Sequence, residues 1–414
     1  MRKVLIVGAG QSGLQLALTL REHDYDVTLM SARTPEEIRR GWVTSTQCMF
    51  ADALATERAH GLNLWDDVAP RIGGQGFSMG QPDGTRVLNW MGDWNAGTAQ
   101  SIDQRVKMAT WLELLEERGG KVIMHGVTTA DLDALARMYD LVIVAAGKGE
   151  LVQLFDRDPS RSPFTKPQRA LSVSYVHGAQ ARPDTPGATD VWMNVVPGIG
   201  EHISIPGYTL SGPCDILYVS GIPGGPLDCF ADRPPADEQL RRHLELFEQF
   251  MPWEYERYRN CEITDPKGVL TGGYPPVVRH PVGELPSGTC VLGMADVVVA
   301  NDPVTGQGAN NAAKCAASYL DSILAHGDKP FDREFMQATF DRYWEYAKHV
   351  TRLTNTMLQP PPEHIQQILG VAQTNKTVAD RFAHGFNDPP DLDEWFFEPE
   401  KAAAYLESVN AAHT

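Results

Sequence analysis

The sequence predicts an α/β fold: a Rossmann-like nucleotide-binding half, interrupted by a mostly antiparallel β-sheet half, with helices at the C-terminal end. Three observations carry this. A glycine-rich turn sits between an apolar strand and a helix at the chain start. The strand–helix rhythm stops near residue 40 and resumes near residue 101. A second glycine-rich turn, again between strand and helix, follows residue 300.

Lys3-Val4-Leu5-Ile6-Val7 is a short apolar, β-branched-rich run. It leads into Gly8-Ala9-Gly10-Gln11-Ser12-Gly13 and then into a helical stretch, Leu14 to Leu20. Strand, G-x-G-x-x-G, helix is the order a dinucleotide fold needs. Gly8 permits the tight turn, Gly10 lets the backbone approach a pyrophosphate, and Gly13 lets the helix pack close to the strand. The helix start offers unpaired N–H groups to phosphates. Asp26 to Met30 is a second strand. An acid that binds a ribose hydroxyl is expected after it in an NAD protein. Ser31 and Arg33 stand there instead, which weakens an NAD reading and leaves the adenosine end to Arg33 or to backbone contacts.

Thr44 to Phe50 alternates and predicts a strand in a second layer. Residues 54–100 are rich in Gly and Pro, with short strand-like pieces such as Thr85 to Leu88. Helical spacing returns after Asp103 and runs through Trp111 and Leu115 to Gly119-Gly120. Val122 to Met124 is a strand, Asp131 to Met138 a short helix, and Leu141 to Ala145 a buried strand. Antiparallel strands are predicted at 170–176, 191–195 and 215–219, and a helix from Glu238 to Phe250. Thr289 to Gly293 is a strand running into Asp296. Then come Asn301-Asp302-Pro303-Val304-Thr305-Gly306-Gln307-Gly308-Ala309-Asn310 and a helix from Asn311 to Leu324. The N–H groups of Gly306 to Asn310 would face a negatively charged group. The remainder is helical, broken at Pro360-Pro361-Pro362, and is expected to pack across both halves. The boundaries expected are 1–40, 101–160 and 266–330 for the nucleotide domain, 41–100 and 161–265 for the substrate domain, and 331–414 for the C-terminal helices.

At 414 residues the chain exceeds what one core usually supports. A net charge of −17 argues against nucleic-acid or anionic-membrane binding. No apolar run reaches the length of a membrane span, and the four apolar residues before Gly8 are too few for a signal-peptide core. The six cysteines are scattered without a C-x-x-C, which reads as reduced thiols in a cytoplasmic protein. The histidines lack metal-ligand spacing, so no metal is expected.

Two nucleotide-facing turns in one interrupted domain suit FAD. Gly8 to Gly13 would take the pyrophosphate, Asp296 the ribityl hydroxyls, and Gly306 to Asn310 the pyrimidine edge of the flavin. At this point the chain resembles the flavoprotein monooxygenases of the para-hydroxybenzoate-hydroxylase superfamily. Within them it resembles the two-component styrene/indole monooxygenases, over essentially its whole length. The residues that carry this are Gly8-Ala9-Gly10, Asp26-Val27-Thr28, Asp103-x-Arg105, the block Ser162 to Ala170, and above all Asp302-Pro303-Val304-x-Gly306-Gln307-Gly308-Ala309-Asn310. Three features depart from single-component hydroxylases. Ala146-Gly147-Lys148 replaces an Asp-Gly, Ala295-Asp296 replaces a Gly-Asp, and there is no second G-x-G-x-x-G. All three fit an enzyme that does not reduce its own flavin.

The resemblance implies FADH2 delivered by a separate NADH-dependent flavin reductase, reaction with O2 to a flavin C4a-(hydro)peroxide, and epoxidation of a small aromatic alkene with no protein acid or base. It is compatible with a homodimer. It implies cofactor contacts at Gly8, Gly10, Gly13, Ser31, Arg33, Arg105, Asp296, Pro303, Gly306, Gly308, Ala309 and Asn310. Substrate contacts are implied at Ser45, Gln47, Met49, Ile72 and Ala99. Styrene-preferring relatives tend to carry Asn, Val and His where this chain has Ser45, Gln47 and Met49, whereas indole-preferring ones carry Ser, Gln and Met. Gln75 departs from the apolar residue expected there. The expected reaction is indole 2,3-epoxidation, leading to indoxyl and indigo, with Gln47 accepting the indole N–H. The rival readings are a styrene epoxidase or sulfide oxygenase on the same scaffold, or a FAD-fold protein that binds a partner without oxygenation.

Overall fold

A computed structural model describes residues 1–147 and 149–411. Lys148, the end of the Ala146-Gly147-Lys148 departure, and residues 412–414 lie outside the described residues.

Six strands form the first sheet, in the order Val282–Glu284, Cys290–Gly293, Leu141–Val144, Lys3–Val7, Asp26–Ser31, Lys121–Met124. All neighbours are parallel except the edge pair Val282–Glu284 with Cys290–Gly293. The central strand is apolar on both faces because both faces are covered; Val4, Leu5 and Ile6 are fully buried. The helices that follow the two glycine turns, Gln11–Arg21 and Gly308–His326, lie against each other. Gln15 Nε2 reaches the carbonyl of Ala313 at 3.1 Å. Turns nearly three hundred residues apart in sequence therefore open side by side at the carboxyl edge of one sheet.

The second sheet runs Glu262–Ile263, Ala170–His177, Gly212–Gly221, Gly200–Thr209, Val191–Val196, Gly74–Gly80, Arg86–Asp93, and Val269–Gly272 also pairs with Ala170–His177. One pair, Val191–Val196 with Gly74–Gly80, is parallel. Two of these strands carry no clear sequence signal. Gly74–Gly80 has three glycines, and a Cβ at Gly76 would stand 2.1 Å from the Trp192 ring. Gly200–Thr209 contains Pro206 and two glycines, which depress strand propensity. One face packs Val176, Leu217 and Val219 on the helix Ala236–Phe250. The other packs Val173, Tyr175, Ile216 and Tyr218 toward the C-terminal helices.

The 25-residue helix Arg333–Met357 joins the two cores. Phe335, Phe340 and Tyr343 enter the first, and Leu353 enters the second. Beyond the proline break, Glu363–Ala372 and Lys376–His384 cover the second sheet. Trp90 and Trp94 donate there to the carbonyls of Leu369 and Ala383, at 3.0 and 2.9 Å.

The strand expected over Thr44 to Phe50 is corrected. Only Cys48–Met49 is extended and paired, with Gln100–Ser101. Gln47 has φ +32°, in the left-handed region, so the side-chain alternation of a strand stops at that residue. The short helix expected at Asp131 begins at Thr129, because Thr128 and Asp131 form a reciprocal capping box.

Candidate active site

The two glycine turns are built alike. In Gln11–Arg21 the first intrahelical bond is Leu14 N to Gly10 O, and in Gly308–His326 it is Asn311 N to Gln307 O. The N–H groups before those residues have no partner within the helix. Neither start has a side-chain cap or an acid in its first turn. A Cβ at Gly10, Gly306 or Gly308 would meet nothing within 4 Å, so the approach to both turns is open. Gly8 and Gly13 work differently. Gly8 has φ +124° and lies on the backbone of Ala145, and a Cβ on Gly13 would stand 2.1 Å from the Gly8 carbonyl. Two uncapped helix starts facing the same edge fit a long anionic cofactor with a diphosphate at one turn and a second group of negative character at the other. Buried polar atoms beside the second turn agree: Gln307 Oε1, Asn301 Nδ2 and both amide atoms of Asn311 find no partner among the described residues.

Other expected cofactor contacts are placed as follows. Pro303 opens the single turn Pro303–Thr305, and Gly306 ends it with φ +64°. Ala309 is half-buried at the helix start. Asp296 is exposed and lies against Gly147, where an added Cβ would be 3.0 Å from the Asp296 Cβ. Ala295 before it has φ +51°, in the place where the superfamily pattern has glycine. Arg33 is exposed and packs near Gly41. The Ser31 hydroxyl donates to the Arg33 carbonyl at 2.6 Å and accepts from the Arg33 N–H at 3.2 Å, which leaves one lone pair and no proton for a ribose.

One expected contact, at Arg105, is corrected, and at Asn310 the expected contact stays with the backbone N–H while the side chain is engaged elsewhere. Arg105 is buried with all five N–H donors engaged. Nε goes to Asp103 at 2.9 Å, the two terminal nitrogens take Asp265 at 3.0 and 2.9 Å, and the remaining protons reach Thr209 and Gly41. It fastens the helix Gln104–Glu117 to the second sheet and has no proton left for a cofactor. Asn310 spends both amide protons on the carbonyls of Cys48 (2.7 Å) and Gly306 (3.1 Å) and accepts from the Phe50 N–H at 2.8 Å. Its side chain acts as a one-residue strand partner that holds Met49 against the second helix. Only its backbone N–H faces outward from the turn.

Met49 accordingly packs with Ala53, Leu54, Ala309 and Ala313. Ile72 and Ala99, far apart in sequence, exchange both backbone hydrogen bonds, at 2.9 and 2.8 Å, and join Val43, Cys48, Phe50 and Tyr175 in one apolar cluster. Gln47 turns the other way, to Tyr175 and Ser45. In the strand expected over Thr44 to Phe50, Ser45, Gln47 and Met49, two residues apart, would all point to one face; this is corrected, because Gln47 and Met49 point to different partners. Gln75 is buried in the strand Gly74–Gly80, paired with Val191 and Gly92.

Behind the second turn, Arg169 and Glu201 form a buried bidentate pair at 2.8 and 2.7 Å, and Ser220 donates to Glu201 at 2.7 Å. Asp302 lies near this pair. Burial pushes its carboxyl up to about 6, against the Val304 N–H it accepts at 3.0 Å and the attraction of Arg169. Below the first turn, Glu57 accepts from Gln11 at 3.0 Å and pairs with Lys107, whose ammonium burial pushes down against the Glu57 charge. A cavity of about 400 Å³ beside Arg71, Asp93 and Asp190 and one of about 260 Å³ beside Tyr139 and Arg333 lie elsewhere; neither is lined by the glycine turns or the Ser45 to Met49 segment.

Residues 147–257 match the family described as "Styrene monooxygenase A putative substrate binding domain". Over 415 aligned residues the sequence is 32% identical to styrene monooxygenase StyA of Pseudomonas fluorescens, covering 97% of this chain and 96% of the relative. The same values hold for StyA of a Pseudomonas sp.. The chain belongs to the styrene monooxygenase family. It is a flavin-dependent monooxygenase that uses FAD and O2. Among solved structures, a triple mutant of the flavin-dependent brominase Bmp2 superposes with a TM-score of 0.66 at 14% identity, covering 99% of both chains. p-Nitrophenol 4-monooxygenase PnpA of Pseudomonas putida does so with 0.62 at 12%, covering 94% of this chain and 99% of its own. At that identity the likeness is one of fold.

Sequence reasoning missed three groups around this monooxygenase's site: Tyr175, the Arg169–Glu201 pair, and the Glu57–Lys107 pair. Arg169 lay inside the block that carried the resemblance, but its partner is 32 residues away on another strand. Glu57 and Lys107 are charged residues on helices, a pattern that ordinarily reads as solvated surface.

Proposed function

We propose that this monooxygenase receives reduced FAD from a separate NADH-dependent flavin reductase and epoxidises indole at its 2,3 double bond, the product rearranging to indoxyl and oxidising in air to indigo. Bound reduced FAD and O2 supply the electrophilic oxygen. The chain's own task is to bind, orient and keep water out. The helix start at Gly308 to Asn310 stabilises negative charge on the reduced ring, and Gly8 to Gly13 anchors the pyrophosphate. The Ile72–Ala99 bridge with Cys48 and Phe50 supplies an apolar wall that excludes water and holds the alkene. No side chain is assigned as acid or base.

The observation that carries the indole reading is a buried amide at Gln47 with one lone pair of Oε1 unused. Indole offers an N–H to it and styrene does not. Ser45 already satisfies the other lone pair, so styrene is not punished by an orphaned carbonyl. The preference rests on a hydrogen bond gained, about 0.5–1.5 kcal/mol, or roughly two- to twelvefold. That modest figure keeps a second reading in play, a styrene-type epoxidase, which the names of both Pseudomonas relatives favour.

The test supplies the purified protein with FAD, NADH, an unrelated flavin reductase, and indole or styrene. Blue pigment from indole, formed at a higher kcat/KM than styrene oxide from styrene, is expected. Styrene oxide without pigment moves the assignment to the second reading. No oxygenated product from either removes both.

A further inference from the structure

Tyr175 stands on the strand Ala170–His177, fully buried, on the face that looks toward the Val43 to Phe50 segment. Burial holds its hydroxyl well above the ordinary tyrosine range, so it carries its proton. That single proton has one acceptor to satisfy: the carbonyl of Ser45, at 2.7 Å, which cannot donate. The Tyr175 oxygen can then only accept from its other neighbour. Gln47 is that neighbour, also at 2.7 Å, so the atom facing Tyr175 must be the amide nitrogen Nε2. The opposite end, Oε1, therefore faces Ser45, whose hydroxyl donates to it at 2.7 Å. The ring is closed, and the direction of every bond in it follows from Tyr175.

The segment around the ring is pinned on both sides. Ser101 Oγ donates to the Thr46 carbonyl at 2.9 Å and Asn310 Nδ2 to the Cys48 carbonyl at 2.7 Å. Between them Gln47 is held at φ +32°, a conformation that costs a long side chain and persists only where surrounding bonds over-determine it. A strained, buried glutamine whose amide polarity is dictated by a residue 128 positions away is more than packing requires.

We propose that Tyr175 is a specificity-positioning residue: it fixes the polarity of the Gln47 amide, so that the site presents a hydrogen-bond acceptor to a bicyclic aromatic alkene bearing an N–H. The inference rests on the indole reading of the proposed function and deepens it. Without the Tyr175 hydroxyl the amide can turn over and set an NH2 group where the carbonyl was, which repels an indole N–H. Without the Ser45 hydroxyl the polarity persists, because Tyr175 still donates to the Ser45 backbone, and Oε1 has both lone pairs to offer.

The test is the ratio of kcat/KM for indole to that for indene, the carbocyclic isostere with CH2 in place of N–H, at saturating FADH2. Wild type is expected to favour indole about fivefold. Tyr175→Phe is expected to bring the ratio to one or below, and Ser45→Ala to raise it. General loosening of the segment would move both variants in the same direction, so opposite shifts support the proposal. An unchanged ratio in Tyr175→Phe, or shifts of the same sign in both variants, overturns it. If Tyr175→Phe does not fold, Ser45→Ala decides alone: a rise supports the proposal, and a fall or no change overturns it. A wild-type ratio of one overturns the indole reading itself, and the inference with it; that failure shows in the unmutated enzyme, before any variant is made.

Discussion

At the two glycine turns, the N–H groups of the first helical turn find no partner in their helix and the space above them is open. In the Ser45 to Phe50 segment, by contrast, Ser45 and Gln47 are bonded to Tyr175, and Cys48 and Phe50 to Asn310. On the proposed reading, the turns keep their N–H groups for the cofactor. The segment is satisfied internally and offers only what is left over, a lone pair. A cofactor held through many backbone groups needs an uncommitted surface. A substrate selected through one contact needs that contact rigid. Asn310 links the two, because its side chain belongs to the segment while its backbone belongs to the turn.

The sharpest way to break this contrast is to separate the two kinds of glycine. Gly13→Ala places a Cβ against the Gly8 carbonyl, and overpacking of that kind should destabilise by about 3 kcal/mol or more, read by chemical denaturation. Gly10→Ala should leave stability unchanged and weaken FADH2 binding by about tenfold, read by anaerobic titration. Equal effects on stability would erase the distinction.

Asn310→Ala tests the link. It removes two donors and an acceptor, and buried partners left unmade cost about 1–3 kcal/mol. Stability should fall by that amount and KM for substrate should rise, because Met49 loses its register. Retained stability and KM would mean that the amide is incidental.

Asp302 sharpens the electrostatics of the second turn. Its folded-state carboxyl is raised from 3.8 to about 6 by burial, so the folded protein binds this proton more tightly than the unfolded one. The stability from that group is fully present below its unfolded value near 3.8 and is lost as pH rises through about 6. Arg169 and Glu201, which face it with opposite signs, partly cancel. The stability of wild type minus that of Asp302→Asn should therefore fall by about 2 kcal/mol between pH 4 and 6. A flat difference would show that the carboxyl is solvated.

The smallest effect is expected at Ala295, whose φ of +51° suits glycine. Ala295→Gly should stabilise by about 1 kcal/mol. Destabilisation would mean that the strain is repaid by contacts of the methyl group.

What was legible in the sequence divides along the same contrast. Gly8 and Gly13 announce themselves because close packing leaves no room for a side chain, and Gly306 because its positive φ favours glycine, and the apolar strands around them read directly as a buried parallel sheet. The Gly74–Gly80 strand was hidden by Gly76, which is small only to admit Trp192. Arg105 is expected as a cofactor ligand from the resemblance carried by the Asp103-x-Arg105 pair; Asp265, 160 residues away, takes two of its donors instead. The strand at Thr44 to Phe50 failed for the same reason. Its alternation is real, but Tyr175 pulls Gln47 out of it, and nothing local signals a tyrosine on a distant strand.

The measurement that tests the account most directly is an anaerobic titration of the unmodified protein with FADH2 and, separately, with oxidised FAD. A helix start with no side-chain cap and no acid in its first turn should favour the more negative reduced ring, so FADH2 is expected to bind at least tenfold more tightly. Equal affinity, or preference for oxidised FAD, would contradict the reading of the Gly306 to Asn310 turn as the group that holds a borrowed, reduced flavin.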